Sequence, residues 1–225
     1  MPPTPLEVLR QVPLFASLPD AELEAFAPLL RERRFPKGNV ILMQGDPGDA
    51  LFVIASGQVK VVLIGDDGRE VILSVLGSGS FFGEMALLDD DPRSAHVVAM
   101  EDATLLQLRR DDFRVRLRSS PDVAIALLRE LTRRLRRADD TIGSLALRDV
   151  NGRIAHLLLD LAEEESGGRI TRRLTHATLA QMVGASRETV SRTLRALVKA
   201  GAIRVTRREI TLLDQDLLRR SAQHP

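Results

Sequence analysis

The sequence predicts an α+β chain in three parts: an N-terminal β-barrel or jelly roll, one long helix, and a small C-terminal domain of helices with a short sheet. Three observations carry this. Strand-like runs crowd between residues 39 and 108, separated by Gly- and Asp-rich turns. An apolar heptad pattern then runs unbroken from Ala124 to Leu145. Two capped helical segments joined by a glycine follow, ahead of two short apolar runs.

The strand-like runs are 39–43, 51–55, 58–64, 70–76, 95–99 and 104–108, with turns at Gly45-Asp46-Pro47-Gly48, Ser56-Gly57, Gly65-Asp66-Asp67-Gly68 and Gly77-Ser78-Gly79. Short strands at close spacing with turn chemistry between them are the pattern of an all-β barrel or jelly roll. Asp66-Asp67-Gly68 between two β-branched runs marks a hairpin. A helical lead at 6–9 and 20–30, opened by Pro19-Asp20, precedes the strands.

Pro121-Asp122 opens a helix that runs to residue 147. Along it Ala124, Leu128, Leu131, Leu135, Ala138, Ile142 and Leu145 alternate spacings of four and three, the a/d seam of a coiled coil. This predicts a homodimer paired through residues 124–145. With Ala124 at position d, Arg134 falls at g and Asp139 at e, positions that pair across a parallel two-stranded coil. Arg133, Arg136 and Arg137 fall outside the seam, on a solvated face. Arg148-Asp149-Val150-Asn151-Gly152 breaks the pattern as a hinge, with Asp149 or Asn151 capping a helix that Ser166-Gly167-Gly168 ends. The expected division is 1–120, 121–148 and 149–225.

Composition narrows the function. The chain has no cysteine, which excludes disulfides, cysteine-ligated zinc and cysteine-held iron–sulfur clusters. His96, His156, His176 and His224 form no ligand-spaced set, so neither metal nor haem is expected. No nucleophile–base pair points to an enzyme. No run is long and apolar enough to span a bilayer, and the N-terminus lacks a signal pattern, so the expectation is a cytoplasmic protein with no membrane partner. The net charge of +1 conceals an asymmetry: residues 169–225 hold 12 Lys and Arg against 4 Asp and Glu, the remainder 20 against 27. A basic tail on an acidic body suits a polyanion partner.

Thr175 is a good N-cap for a helix to residue 182, Gly184 supplies a turn, and Ser186 caps a second helix over 187–199. On the second helix Val190, Leu194, Leu197 and Val198 share an inward face. Arg187, Ser191 and Arg195 line up with Glu188 and Arg192 on the opposite one. In the first turn, Arg187 suits guanine O6 and N7, and Glu188 suits the cytosine amine. The unit predicts double-stranded DNA as partner, contacted through Thr175, Ser186, Arg187, Glu188, Ser191, Arg192 and Arg195. The runs 203–205 and 209–213 suit the β-wing of a winged helix.

A second constellation lies among the strands: Phe82-Gly83-Glu84-Met85-Ala86-Leu87, a short acidic insertion, then Arg93-Ser94-Ala95-His96-Val97-Val98-Ala99. Glycine lets backbone N–H groups approach an anion, Arg93 can fork onto phosphate oxygens, Ser94 can donate a hydroxyl, and Glu84 can accept from a ribose hydroxyl. From the residues alone, a Glu84–Arg93 ion pair inside the barrel explains them as well. Asp89-Asp90-Asp91 is expected to be a solvated loop.

The constellation Phe82-Gly83-Glu84-Met85-Ala86-Leu87 with Arg93-Ser94-Ala95-His96-Val97-Val98-Ala99 resembles the phosphate-binding cassette of cyclic-nucleotide-binding domains. The segment Leu179-Ala180-Gln181-Met182-Val183-Gly184-Ala185-Ser186-Arg187-Glu188-Thr189-Val190-Ser191-Arg192 resembles the helix pair of CRP/FNR transcription regulators, in their cyclic-AMP receptor branch. The likeness covers nearly the whole chain in the family's order, including Gly38, Gly45, Gly48, Gly57 and Asp149. It implies a cyclic nucleotide as effector, with cyclic AMP the leading candidate. Gly83 and Glu84, with Met85 beside them, would hold its sugar and phosphate. Arg93 and Ser94 would bind the cyclic phosphate, and Arg134 would approach from the long helix. It also implies that Arg187, Glu188 and Arg192 read a TGTGA-like half-site, twice in a palindrome, with RNA polymerase as a further partner. One departure stands out. Where cyclic-AMP members place a hydroxyl or amide pair against the adenine, this chain has Ala138 and Asp139. Asp139 can still accept from an adenine amine.

Overall fold

The computed structural model describes residues 4–13, 15, 16, 18–165, 168–172, 174–206 and 209–222. Helices α1 (Pro5–Gln11) and α2 (Asp20–Phe26) open the chain, and α2 runs into a 3-10 turn at Ala27–Leu29. Strands β1 (Arg31–Phe35), β2 (Val40–Leu42), β3 (Ala50–Ser56), β4 (Val59–Ile64), β5 (Glu70–Leu76) and β6 (Phe81–Phe82) follow. Next come the single turn α3 (Met85–Leu88), β7 (His96–Ala99), β8 (Ala103–Arg109), α4 (Arg110–Ser119) and the long α5 (Pro121–Leu147). The remainder is α6 (Val150–Glu164), β9 (Arg169–Ile170), α7 (His176–Val183), α8 (Arg187–Lys199), β10 (Ile203–Val205), β11 (Ile210–Leu212) and α9 (Gln215–Ala222). The chain divides into two compact units, residues 1–134 and 135–225, with α5 running through the division.

In the first unit two antiparallel four-stranded sheets, ordered β1-β8-β3-β6 and β2-β7-β4-β5, form the expected jelly-roll-like barrel. The hairpin β4–β5 pairs Ile64 with Glu70 across the Asp66-Asp67-Gly68 turn. Strand β3 is buried on both faces. Ala50, Phe52 and Ile54 fill the barrel with Val59, Phe82, Val97 and Leu105, while Leu51 and Val53 pack outward under helices with Phe15, Phe26, Phe113 and Leu127. That two-sided burial explains why its run is apolar without alternation. Strand β1, Arg31-Glu32-Arg33-Arg34-Phe35, was not foreseen. It is an edge strand on β8, and its charges are those an edge tolerates.

Helix α5 holds together over 27 residues. At its start Val123, Ala126 and Leu127 are buried in the first unit's core, with Leu131 partly so. The seam beyond behaves differently: Leu128, Leu135, Ile142 and Leu145 are 63%, 63%, 64% and 52% exposed.

The second unit has its own core. Ile154, Leu158 and Leu161 of α6 meet Leu179 and Val183 of α7, Val190, Leu194 and Leu197 of α8, and Leu218 of α9. Strands β10, β11 and β9 form a small antiparallel sheet. On α8 the inward face differs from expectation by one residue: Val198 is 44% exposed, and Thr193 is buried in its stead. At 100° per residue Val198 and Thr193 lie on opposite margins of the arc through Val190, Leu194 and Leu197, and the core covers the Thr193 margin. The Thr193 hydroxyl donates to Asn151 Oδ1 at 2.6 Å, so burial leaves it satisfied. Asn151 is thereby occupied, and Asp149 is the N-cap of α6, accepting from Gly152 N at 2.7 Å. The expected stop at Ser166-Gly167 lies outside the described residues.

Asp149→Ala removes this cap without touching a packed side chain. It should cost the second unit about 1 kcal/mol in denaturant unfolding, and Asp149→Asn distinctly less.

Candidate functional site

The cassette is built where β6 hands over to α3. Gly83 has φ +84°, and a Cβ there would sit 2.9 Å from Arg93 Nη1 and 3.3 Å from the Ala50 carbonyl oxygen. The backbone can therefore turn against the Arg93 guanidinium only at a glycine. Across the same guanidinium, a Cβ on Gly48 would meet Ala86 Cβ at 2.4 Å and Arg93 Cζ at 3.3 Å.

Arg93 is 4% exposed. Its Nη1 donates to Gly83 O at 2.6 Å and its Nη2 to Ala50 O at 2.7 Å, with the exposed Asp49 carboxylate 3.5 Å away. Burial draws its pKa below the ordinary arginine value, while Asp49 opposes the shift. Glu84 is 2% exposed, and its partner is Arg134 of α5, not Arg93, at 3.0 Å. The internal Glu84–Arg93 pair that the residues alone allowed is therefore absent. Two polar atoms remain buried with no partner among the described residues: Glu84 Oε2 and Arg93 Nε. Ser94 is exposed, its hydroxyl 3.8 Å from the Met85 sulfur, and Met85 is exposed as well.

Arg134 is committed within the first unit. It donates to Glu130 Oε1 at 3.1 Å, Glu84 Oε1 at 3.0 Å and Phe81 O at 2.7 Å, and its guanidinium lies 4.4 Å from the centroid of the Phe81 ring. The heptad positions would let Arg134 pair with a partner's Asp139; within the chain its donors are taken by Glu130, Glu84 and Phe81. Its donors point to the cassette because Glu84 is a buried anion with a lone pair to offer. Asp139 is exposed on the part of α5 that belongs to the second unit.

Asp90, expected to be solvated, has a structural task. Its carboxylate receives Arg110 and Arg114 from α4, the latter at 2.7 Å, and its backbone takes φ +63°. The hydrogen bond from Arg114, with the charge of Arg110 behind it, lowers its pKa below the ordinary aspartate value. Nothing in the local sequence pattern marks this cluster.

In the second unit the helix pair closes at the expected residues. Thr175 caps α7 by accepting from Thr178 N at 3.0 Å, Gly184 ends it at φ +64°, and Ser186 caps α8 by accepting from Thr189 N at 3.1 Å. Arg187 and Glu188 are exposed and make no hydrogen bond or ion pair among the described residues. Arg192 and Arg195 are exposed on the same helix, and Arg195 Nε rests on Ser191 O at 3.1 Å. Ser191 is half-buried, its hydroxyl 2.7 Å from His176 Nδ1 at the start of α7, a contact not expected from the sequence.

Comparison with known proteins matches this division of labour. The family model for the cyclic nucleotide-binding domain matches residues 32–120, and that for the Crp-like helix-turn-helix domain matches residues 152–221. The class is thus a DNA-binding transcription regulator carrying a cyclic-nucleotide-binding domain. The chain is 35% identical over 222 residues to the CRP-like cAMP-activated global transcriptional regulator of Mycobacterium tuberculosis, covering 96% of this chain and 99% of that one. It is 40% identical over 212 residues to the cyclic AMP receptor protein of Thermus thermophilus, covering 92% and 97%. It belongs to the CRP/FNR family, whose members are transcription regulators and not enzymes. The solved structure of CLP, a c-di-GMP responsive global regulator of Xanthomonas campestris, shares the fold with a TM-score of 0.72 at 28% identity, covering 86% of this chain and 99% of that one.

Gly83→Ala tests the tight turn. Its φ and the 2.9 Å approach to Arg93 together should cost about 2 kcal/mol or more, read as a lowered urea midpoint with an unchanged slope.

Proposed function

We propose that the chain is a homodimeric transcription regulator gated by a cyclic nucleotide, cyclic AMP first among them, and that it binds a palindrome of TGTGA-like half-sites. The observation that carries this reading is the pair of partnerless buried atoms, Glu84 Oε2 and Arg93 Nε. A buried polar group left unpaired costs about 1–3 kcal/mol, and more where it is charged. A ribose hydroxyl donating to Glu84 and a phosphodiester oxygen accepting from Arg93 would relieve both. Ser94 would add a hydroxyl donor, Gly83 and Met85 the approach of the backbone, and Arg134 would take part through Glu84. That the Mycobacterium and Thermus relatives are named for cyclic AMP supports this ligand class.

Arg187, Glu188 and Arg192 are the proposed base readers, because they are exposed on the first turns of α8 with side chains free or nearly so. Thr175, Ser186, Ser191 and Arg195 would hold phosphates and orient the helix. The exposed seam Leu128, Leu135, Ile142 and Leu145 is apolar surface that a second copy's residues 124–145 would cover. We read the chain as sensor 1–120, dimer helix 121–148 and DNA reader 149–225. The break at Asp149 would set two recognition helices about 34 Å apart. RNA polymerase would be the further partner.

A second reading rests on the Arg134–Glu84 ion pair, which already answers part of the charge a ligand would answer. It makes the chain a regulator that needs no ligand, or a different one, as the c-di-GMP responsive relative illustrates. Operator binding at full affinity without any nucleotide would favour it.

Arg93→Leu should weaken cyclic AMP binding by about 100-fold in calorimetry, since charged hydrogen bonds in a buried site are lost with it. Unchanged affinity would sink the cassette. A panel of cyclic nucleotides against Asp139→Ala reports whether Asp139 sets base preference. Arg187→Ala should cost about 1–3 kcal/mol at a TGTGA palindrome and relax preference at one base pair. An equal loss on all sequences would make Arg187 a phosphate contact instead. Sedimentation should show a dimer that Leu135→Asp with Ile142→Asp splits into monomers, whereas a monomeric native chain ends the dimer reading.

A further inference from the structure

Around the cassette lies a second layer of charge that neither the ligand nor the DNA reading uses. Arg110 and Arg114 stand one turn apart on α4 and share one face. Arg110 Nε donates to Gly48 O at 2.8 Å, its Nη2 to Gly48 O and to Ala86 O at 2.7 Å, and its Nη1 to Asp90. The Arg110 backbone N donates to Asp49 O at 2.8 Å. Arg114 Nε donates to Leu87 O at 2.9 Å and its Nη2 to Asp90 at 2.7 Å.

Two guanidinium groups thus tie the Gly48-Asp49 turn to a segment about forty residues on, the end of α3 and the acidic loop that follows it directly. The turn adjoins Arg93 directly, through Gly48 and Asp49, and α3 packs on that turn at Ala86. An exposed ion pair contributes little by itself. The weight here lies on the partly buried forks to three carbonyls, with Asp90 fixing both forks and being held in the left-handed region in return.

We infer that Arg110, Arg114 and Asp90 form a clasp whose work is to position the cassette loop, and so to set how long a cyclic nucleotide stays bound. They are positioning residues acting through Gly48, Ala86 and Leu87, and the inference rests on the ligand reading above. Arg110→Lys keeps the charge and loses the fork. Asp90→Asn removes the charge and keeps a residue that accepts the left-handed backbone.

In both variants the dissociation rate of a fluorescent cyclic AMP analogue should rise about tenfold with the association rate nearly unchanged, the loss expected of one or two charged hydrogen bonds. Amide exchange over residues 84–91 should quicken, while the melting temperature of Asp90→Asn should stay near that of the native chain. A lowered melting temperature with unaltered dissociation would reduce the cluster to a stability element and overturn the inference. So would faster exchange with no change in ligand kinetics. Should the native chain bind no cyclic nucleotide, the ligand reading falls. Exchange in the ligand-free variants then decides the clasp on its own: unchanged rates end it, and faster rates leave it as what orders the loop.

Discussion

The N-terminal unit depends on the burial of two opposite charges that do not neutralise each other. Arg93 and Glu84 are both nearly inaccessible, yet each takes its main partner elsewhere, Arg93 from the carbonyls of Gly83 and Ala50 and Glu84 from Arg134. Burying an ion costs several kcal/mol unless hydrogen bonds answer it. The surrounding backbone is shaped to supply those bonds. The turn at Gly83, the close approach at Gly48 and the pairing of β3 with β6 place carbonyls where the guanidinium ends. Unmet valence remains on one atom of each group.

The same constraint reaches α5. Arg134 closes the Glu84 side of the cassette and stacks on Phe81, so a residue of the long helix is part of the barrel wall. Anything that changes the demand on Glu84 changes the demand on Arg134, and hence on the helix that carries the apolar seam. A ligand shifts such an equilibrium only by its differential affinity for the two arrangements. On the proposed reading the differential term is local: Glu84 has one oxygen engaged by Arg134 and one free.

Where local chemistry determines an element, the sequence showed it. Helix α5 starts at the Pro121-Asp122 signal, α8 begins after its Ser186 cap, and β5 and β10 fall on their apolar runs because period, caps and turns are local signals. Strand β1 was hidden because its four leading residues are charged, and β6 because it has only two residues. Helices α4 and α9 escaped notice because arginines and aspartates dominate them, with few buried anchors such as Phe113 and Leu218. The site shows the same split. Gly83, Glu84, Arg93 and the capped helix pair are adjacent in sequence and were legible. The turning of Arg134 to Glu84, fifty residues away, the gathering of Arg110 and Arg114 on Asp90, and the His176–Ser191 contact are tertiary facts with no periodic trace.

The two arginine surfaces obey different physics, and on the proposed reading this bears on how one chain would serve both a small cyclic phosphodiester and a polyanion. Arg93 sits in a low-dielectric wall with its geometry fixed by backbone acceptors, so its field is focused, short-ranged and little screened by salt. Arg187, Arg192 and Arg195 lie in solvent, where attraction to a phosphate backbone comes through release of counterions and falls steeply as salt rises. Exchanging the two arrangements would serve neither task. A buried arginine is held too rigidly to follow a groove, and an exposed one offers a small anion little fixed geometry. On the proposed reading, the carbonyl partners of Arg93 hold its guanidinium in place before any ligand arrives, so a ligand would act as a signal rather than as a structural part.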